Sequence, residues 1–119
     1  MGEIRLGAVE SKFADIIWNN EPLRPVELEK LAEAELNWKR TTTLTILKRL
    51  CERGIFQNKD RIITSLISRE EFYALQSEKF VNDTFEGSLP AFLTAFGSRK
   101  KLSDKEVEEL KKVIDSMRR

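Results

Sequence analysis

Apolar side chains recur along this chain with a spacing that changes from helical to alternating and back. Leu6, Val9, Phe13, Ile16 and Ile17 fall at helical intervals and predict a first helix over residues 7–19. The polar run Asn19-Asn20-Glu21-Pro22 closes it. Pro25 suits the first turn of a second helix, where the missing N–H costs nothing, and Leu28, Leu31, Ala32 and Leu36 supply its inner face. A third helix is predicted over residues 39–53, with Thr43, Ile46, Leu47 and Leu50 inward and Gly54 as the left-handed residue that stops it. The period then shortens. Ile55-Phe56-Gln57 and Ile62-Ile63-Thr64-Ser65-Leu66 read as two short strands, and Asn58-Lys59-Asp60-Arg61 as the turn between them.

Beyond residue 67 the pattern is helical again. Ser68-Arg69-Glu70-Glu71 has the form of a capping box, with serine at the N-cap and glutamate three residues on. It opens a fourth helix carrying Phe72, Leu75, Phe80 and Phe85, which stops at Gly87. Leu89, Phe92, Leu93 and Phe96 define a fifth helix, with Pro90 near its start and Gly97 after its end. A second capping box, Ser103-Asp104-Lys105-Glu106, opens a sixth with the stripe Val107, Leu110, Val113, Ile114 and Met117. Three helices followed by a hairpin form the winged variety of helix-turn-helix. The expected fold is therefore mainly α, with a winged helix-turn-helix over residues 1–67 and a three-helix region over residues 68–119.

Those last helices are too short to enclose a core alone, yet they carry large apolar faces. The economical solution is burial against a second copy of the chain, and packing back onto the winged region is the alternative. The candidate dimerisation residues are Phe72, Leu75, Phe85, Leu89, Phe92, Leu93, Phe96, Leu110, Val113 and Ile114.

Charge sharpens the reading of the first half. The chain of 119 residues has a net charge of only +1, but its distribution is uneven. Residues 1–38 hold 4 Lys/Arg against 8 Asp/Glu, residues 39–61 hold 7 against 2, and the remainder balances. A local basic block inside a neutral chain is how a duplex-reading surface is commonly built. Advancing 100° per residue with the apolar stripe inward, helix 3 points Thr41, Thr45, Lys48 and Glu52 outward, with Thr42 and Arg49 on a flank and Lys39 and Arg40 at its N-terminal end. That end is the part of a recognition helix that enters the major groove. Threonine hydroxyls meet base edges or phosphates, and their methyls pack on thymine. Four threonines within residues 41–45 are poor helix composition, costing up to about 0.7 kcal/mol each relative to alanine. Such a departure from local rules marks a functional surface. The competing reading is a strand or loop, or threonines bonded to their own backbone. Lys59 and Arg61 in the hairpin turn are candidates to grip phosphates or the neighbouring minor groove, the alternative being an ordinary solvated turn.

Chemistry of other kinds finds little material. The chain has no histidine and one cysteine, which excludes Ser-His and Cys-His nucleophiles, histidine-bearing zinc sites and any internal disulfide. Cys51 reads as a small core residue, and Trp18 and Trp38 as packing residues. The carboxylates are spread over helix surfaces as ordinary i,i+3 and i,i+4 partners, and no glycine-rich phosphate loop is present. No catalytic residue, metal site or cofactor is expected, and the chain is read as not an enzyme. A free thiol and the lack of a signal-peptide pattern or long apolar stretch predict a cytoplasmic protein with no membrane insertion.

The sequence resembles the BlaI/MecI family of penicillinase and methicillin-resistance repressors from about residue 7 to residue 117. The residues that carry the resemblance are Ile16-Ile17-Trp18, Thr42 through Leu50 with Lys48-Arg49-Leu50, Gly54-Ile55, the phenylalanine-rich helix 5 and residues 102–114. The resemblance implies a cytoplasmic homodimeric transcriptional repressor on an inverted-repeat, double-stranded operator, regulating antibiotic-resistance genes. Carried over by position, Lys39, Arg40, Thr41, Thr42 and Thr45 would contact DNA from the recognition helix, supported by Lys48, Lys59 and Arg61. In inducible members a membrane-bound sensor metalloprotease triggers cleavage of an Asn-Phe bond in helix 5. The matching bond here is Ala95-Phe96, which lacks the asparagine. Paired C-x-C motifs of copper-responsive relatives are absent. The family's serine at the helix-3 N-cap is Lys39 here, so Asn37 is an alternative cap. A winged-helix protein-interaction module without DNA binding is the rival to the repressor reading.

Overall fold

The computed structural model describes residues 6–118. The order of elements is α1 (Ala8–Asn20), α2 (Pro25–Leu36), α3 (Arg40–Glu52), β1 (Phe56–Lys59), β2 (Ile62–Ser65), α4 (Arg69–Phe85), α5 (Leu89–Arg99) and α6 (Asp104–Ser116). Three helices, an antiparallel hairpin and three further helices are thus in the predicted order. They divide into two compact units, one ending at Ser77 and the other beginning at Glu78, so α4 contributes to both.

The first unit is built around Phe13, Ile17, Leu28, Leu50, Phe56, Ile63 and Phe72, each fully buried. Every element from α1 to the first turn of α4 supplies at least one of them, which is what binds three short helices and a hairpin into one core. The two tryptophans complete it. Trp38 lies 5.0 Å from the Phe13 ring, and Trp18 lies 5.2 Å from Phe56 and 5.7 Å from Phe72. The Trp18 indole N–H donates to the Ile67 carbonyl at 3.0 Å, so its one polar atom is satisfied. Val9, expected in the α1 stripe, is instead half exposed.

Helix ends account for most departures from the sequence-based expectation. Asn37 does not cap α3. It is the left-handed C-cap of α2 (φ 57°, ψ 35°), a conformation that asparagine tolerates well. Lys39 is the N-cap of α3 and makes no side-chain cap. Gly54 (φ 81°) ends that helix, with the Ile55 N–H donating back to the Leu50 carbonyl at 3.2 Å. The hairpin is tighter than expected. Asn58 and Lys59 belong to β1, pairing with Ile63 and Ile62, and only Asp60 and Arg61 form the turn. Both have positive φ (56° and 62°), the requirement of a two-residue type I′ turn whose twist matches the strands. A third short strand contact, Leu23 against Ile63, ties the hairpin to the segment before α2.

In the second unit Ser103 and Glu106 form the reciprocal capping box foreseen at α6. Gly97 lies inside α5, which runs on to Arg99. Phe80, Phe85 and Phe92 make a triad of edge-to-face rings with centroids 5.7–6.2 Å apart. No residue of α5 or α6 is fully buried. An apolar groove of about 470 Å³ runs between these two helices, lined by Phe92, Leu93, Phe96, Leu102, Leu110 and Val113 among others.

Candidate nucleic-acid interface

Helix α3 is two-faced. Thr43, Leu47 and Leu50 are buried, and Ile46 packs partly against the same core. Thr41, Thr42, Thr45, Lys48, Arg49 and Glu52 are exposed, as are Lys39 and Arg40 at the N-terminal end. The threonine run is therefore helical, and three of its four members face solvent. The fourth, Thr43, resolves its buried hydroxyl by donating to the Lys39 carbonyl at 3.1 Å, the backbone bond that lets threonine live inside a helix.

The positive character of this face has two sources. The α3 N-terminus presents the positive end of the helix dipole, and its first-turn N–H groups receive no side-chain cap. An oxygen anion such as a backbone phosphate suits that position. Around it, Lys39 and Lys48 form no ion pair among the described residues. The two arginines are tethered: Arg40 Nε lies 3.2 Å from Glu29 Oε1 on α2, and Arg49 Nη1 lies 3.6 Å from Glu10 Oε2 on α1. Neither carboxylate is a sequence-based candidate. Each pairing spans two helices, so no periodicity within one helix signals it.

The wing carries Lys59 and Arg61, both exposed. Lys59 ends β1 and Arg61 occupies the turn. The base of the wing is clamped by Glu21, whose Oε1 accepts the Ser65 N–H at 2.7 Å and whose two carboxylate oxygens accept the Ser65 hydroxyl at 2.9 Å. Gln57 Nε2 donates across the strands to Thr64 Oγ1 at 3.1 Å. These bonds make the wing a supported arm. Arg24, missed in the sequence, lines a small notch with Arg61 and Ile62, so a third cation flanks the turn.

Other candidate chemistry is quiet. Burial, with help from the Glu52 carboxylate, pushes the Cys51 thiol above its ordinary value, which keeps it protonated and weakly nucleophilic at neutral pH. Among the described residues no cluster of acidic, cysteine or histidine side chains could hold a metal ion, and no helix is long and apolar enough to cross a membrane.

The candidate dimerisation residues separate into two groups. Phe72 is a correction: it is fully buried in the first unit, edge-on to Tyr73 and against Trp18, because the first turn of α4 completes that core. Leu75, Leu89, Phe96, Val113 and Ile114 are exposed apolar side chains, and Phe85, Phe92, Leu93 and Leu110 are half-buried. Ala95 and Phe96, the candidate cleavage bond, lie within regular helix α5, and the Phe96 ring packs 6.1 Å from Phe92.

Comparison with known proteins agrees with this architecture. The family described as "Penicillinase repressor" matches residues 6–116. The chain is 25% identical over 114 residues to the methicillin resistance regulatory protein MecI of Staphylococcus aureus (strain Mu50 / ATCC 700699), covering 92% of this chain and 93% of that protein. It is 24% identical over 114 residues to the protein of the same name from Mammaliicoccus sciuri, with the same coverage. The penicillinase repressor of Bacillus licheniformis is 22% identical over 115 residues, covering 93% of this chain and 90% of that protein. These relatives are named as regulators and repressors. With the winged fold and its exposed basic helix, the match over nearly the whole length shows that this chain belongs to the penicillinase repressor family of DNA-binding transcriptional regulators.

Proposed function

We propose that this chain is a cytoplasmic homodimer that represses transcription by occupying an inverted-repeat operator. Residues 1–67 do the reading. Thr41, Thr42 and Thr45 of α3 face the major-groove base edges, Lys39, Arg40 and Lys48 support them, and Lys59 and Arg61 hold the flanking backbone. Residues 68–119 do the assembling, with the first two turns of α4 serving as a foundation in the reading unit. The observation that carries this reading is the division of α3: its apolar face is buried while its threonine-rich, basic face is open along its whole length.

The apolar surfaces of α5 and α6, with Phe96, Val113 and Ile114 about half exposed, support a second copy as their cover. Two linked reading units bind the second half-site at high effective concentration, which raises affinity by about 10²–10⁴. Phe96 is read as part of this surface rather than as a cleavage point, since the residue before it is Ala95. A membrane-bound sensor metalloprotease is therefore the less supported route of release. The names of the relatives point to antibiotic-resistance genes as the regulated class.

Binding titrations on a duplex enriched by the protein from a randomised library test the assignment. Thr42→Ala should relax sequence preference at one or two base pairs, whereas Lys48→Ala should weaken all duplexes evenly. If both variants bound as the unaltered protein does, α3 would not be the reader.

A further inference from the structure

We propose that Glu29 is a positioning residue that aims Arg40, holding the guanidinium by its Nε edge so that the outer fork reads a guanine in the major groove. The proposal rests on the reading above, in which α3 faces DNA. Arg40 is the first residue of α3, and its side chain is 75% exposed. Its one ion-pair partner among the described residues is Glu29, with Nε 3.2 Å from Oε1. Glu29 is held down on α2, its side chain only 20% exposed, so the carboxylate is the fixed member and the arginine the aimed one. The ion pair is made at Nε and the side chain as a whole is 75% exposed, which leaves the terminal amino groups as the pair to meet guanine O6 and N7 in a bidentate contact.

A carboxylate at the margin of a duplex-facing surface works against binding, because it repels phosphate. Within the block acids are few: residues 39–61 contain seven cations and only two acids, Glu52 and Asp60, and the other acid brought against it, Glu10, meets Arg49 toward the far end of α3. An acid touching the leading arginine is explained if orientation is worth more than attraction. An untethered Arg40 can swing to the nearest phosphate, which carries no sequence information. A tethered one has less side-chain freedom to lose on meeting a base and is steered from unselective contacts. The pair is exposed on its arginine side, so it adds little to folding, and its effect on DNA reading can be separated from stability.

The test uses the full chain and a duplex that it enriches from a randomised library, with every base pair of one half-site then substituted singly and affinities read by fluorescence anisotropy. Arg40→Ala should abolish the preference for one G·C pair, a loss of about 10- to 100-fold in discrimination. Glu29→Ala should remove most of that same preference and no other, while affinity for unrelated duplex holds or rises. Glu29→Gln, which keeps an acceptor oxygen, should retain part of it. In the Arg40→Ala background, Glu29→Ala should change nothing at that base pair. The melting temperatures of the Glu29 variants should match the unaltered protein. Full guanine preference in Glu29→Ala, an equal loss at all positions, or an Arg40→Ala variant that still discriminates would overturn the proposal while leaving the repressor reading intact. Failure of the unaltered protein to enrich any duplex would instead remove that reading and this one together.

Discussion

At the scale of single residues, the informative positions are those where one side chain serves two demands. Thr43 is polar and wholly buried, and it survives because its hydroxyl bonds the Lys39 carbonyl one turn back. Its three neighbours Thr41, Thr42 and Thr45 keep their side chains at the surface. The division was readable from the 3.6-residue period, since Thr43 lies in line with Ile46, Leu47 and Leu50. Phe72 was not readable in the same way. Its spacing with Leu75 fits the outer stripe of α4, but the ring belongs to the Trp18 and Phe56 cluster, a contact about fifty residues away in sequence that no local pattern reports. Truncation gives the consequence. Phe72→Ala should lower folding stability by about 3–5 kcal/mol, equally at low and high protein concentration in urea melts. A loss that appeared only as weakened self-association would return Phe72 to the dimer surface.

At the scale of elements, the wing shows what the chain must supply from outside a hairpin to make it usable. Two strands of four residues are marginal alone, and this pair is held by the Leu23 bridge and by the Glu21 carboxylate on Ser65. Glu21→Ala removes an acceptor from a part-buried N–H and hydroxyl. It should cost about 1–3 kcal/mol in a denaturant titration and weaken duplex binding through a looser wing, with helical circular dichroism unchanged. Unaltered stability would show that the clamp is dispensable. The order and type of all eight elements were legible from periodicity and from punctuation by proline, glycine and capping serines. The edges were less so, for specific reasons. Asp60 and Arg61 both adopt positive φ, which shortens the turn to two residues, although the sequence has none of the Asn-Gly or Asp-Gly pairs that announce such turns. Gly97 reads as a stop but is carried inside α5, where its backbone is helical. The basic helix face was legible as charge, whereas the acids that tether it, Glu29 and Glu10, come from other helices and were not.

At the scale of the whole molecule, the proposed function has one unit reading and another joining. The exposed apolar faces of α5 and α6 lead to an assembly prediction. Phe96→Glu with Ile114→Glu should shift the chain to monomer in sedimentation equilibrium and lower affinity for a two-half-site duplex by about 10²–10⁴, leaving single half-site binding as it was. A dimer that persisted would place the contact elsewhere. The central claim, however, is that the basic face of α3 and the wing lie on a DNA duplex, and salt dependence tests it most directly. Each phosphate contact steepens the fall of log affinity with log salt concentration by about 0.9. The unaltered protein should therefore lose affinity steeply with added salt, and a variant with Lys39, Lys48, Lys59 and Arg61 changed to alanine should show a slope shallower by up to about 4. An identical slope in the two proteins, or no duplex binding at low salt by the unaltered chain, would contradict the account and favour a protein partner for this surface.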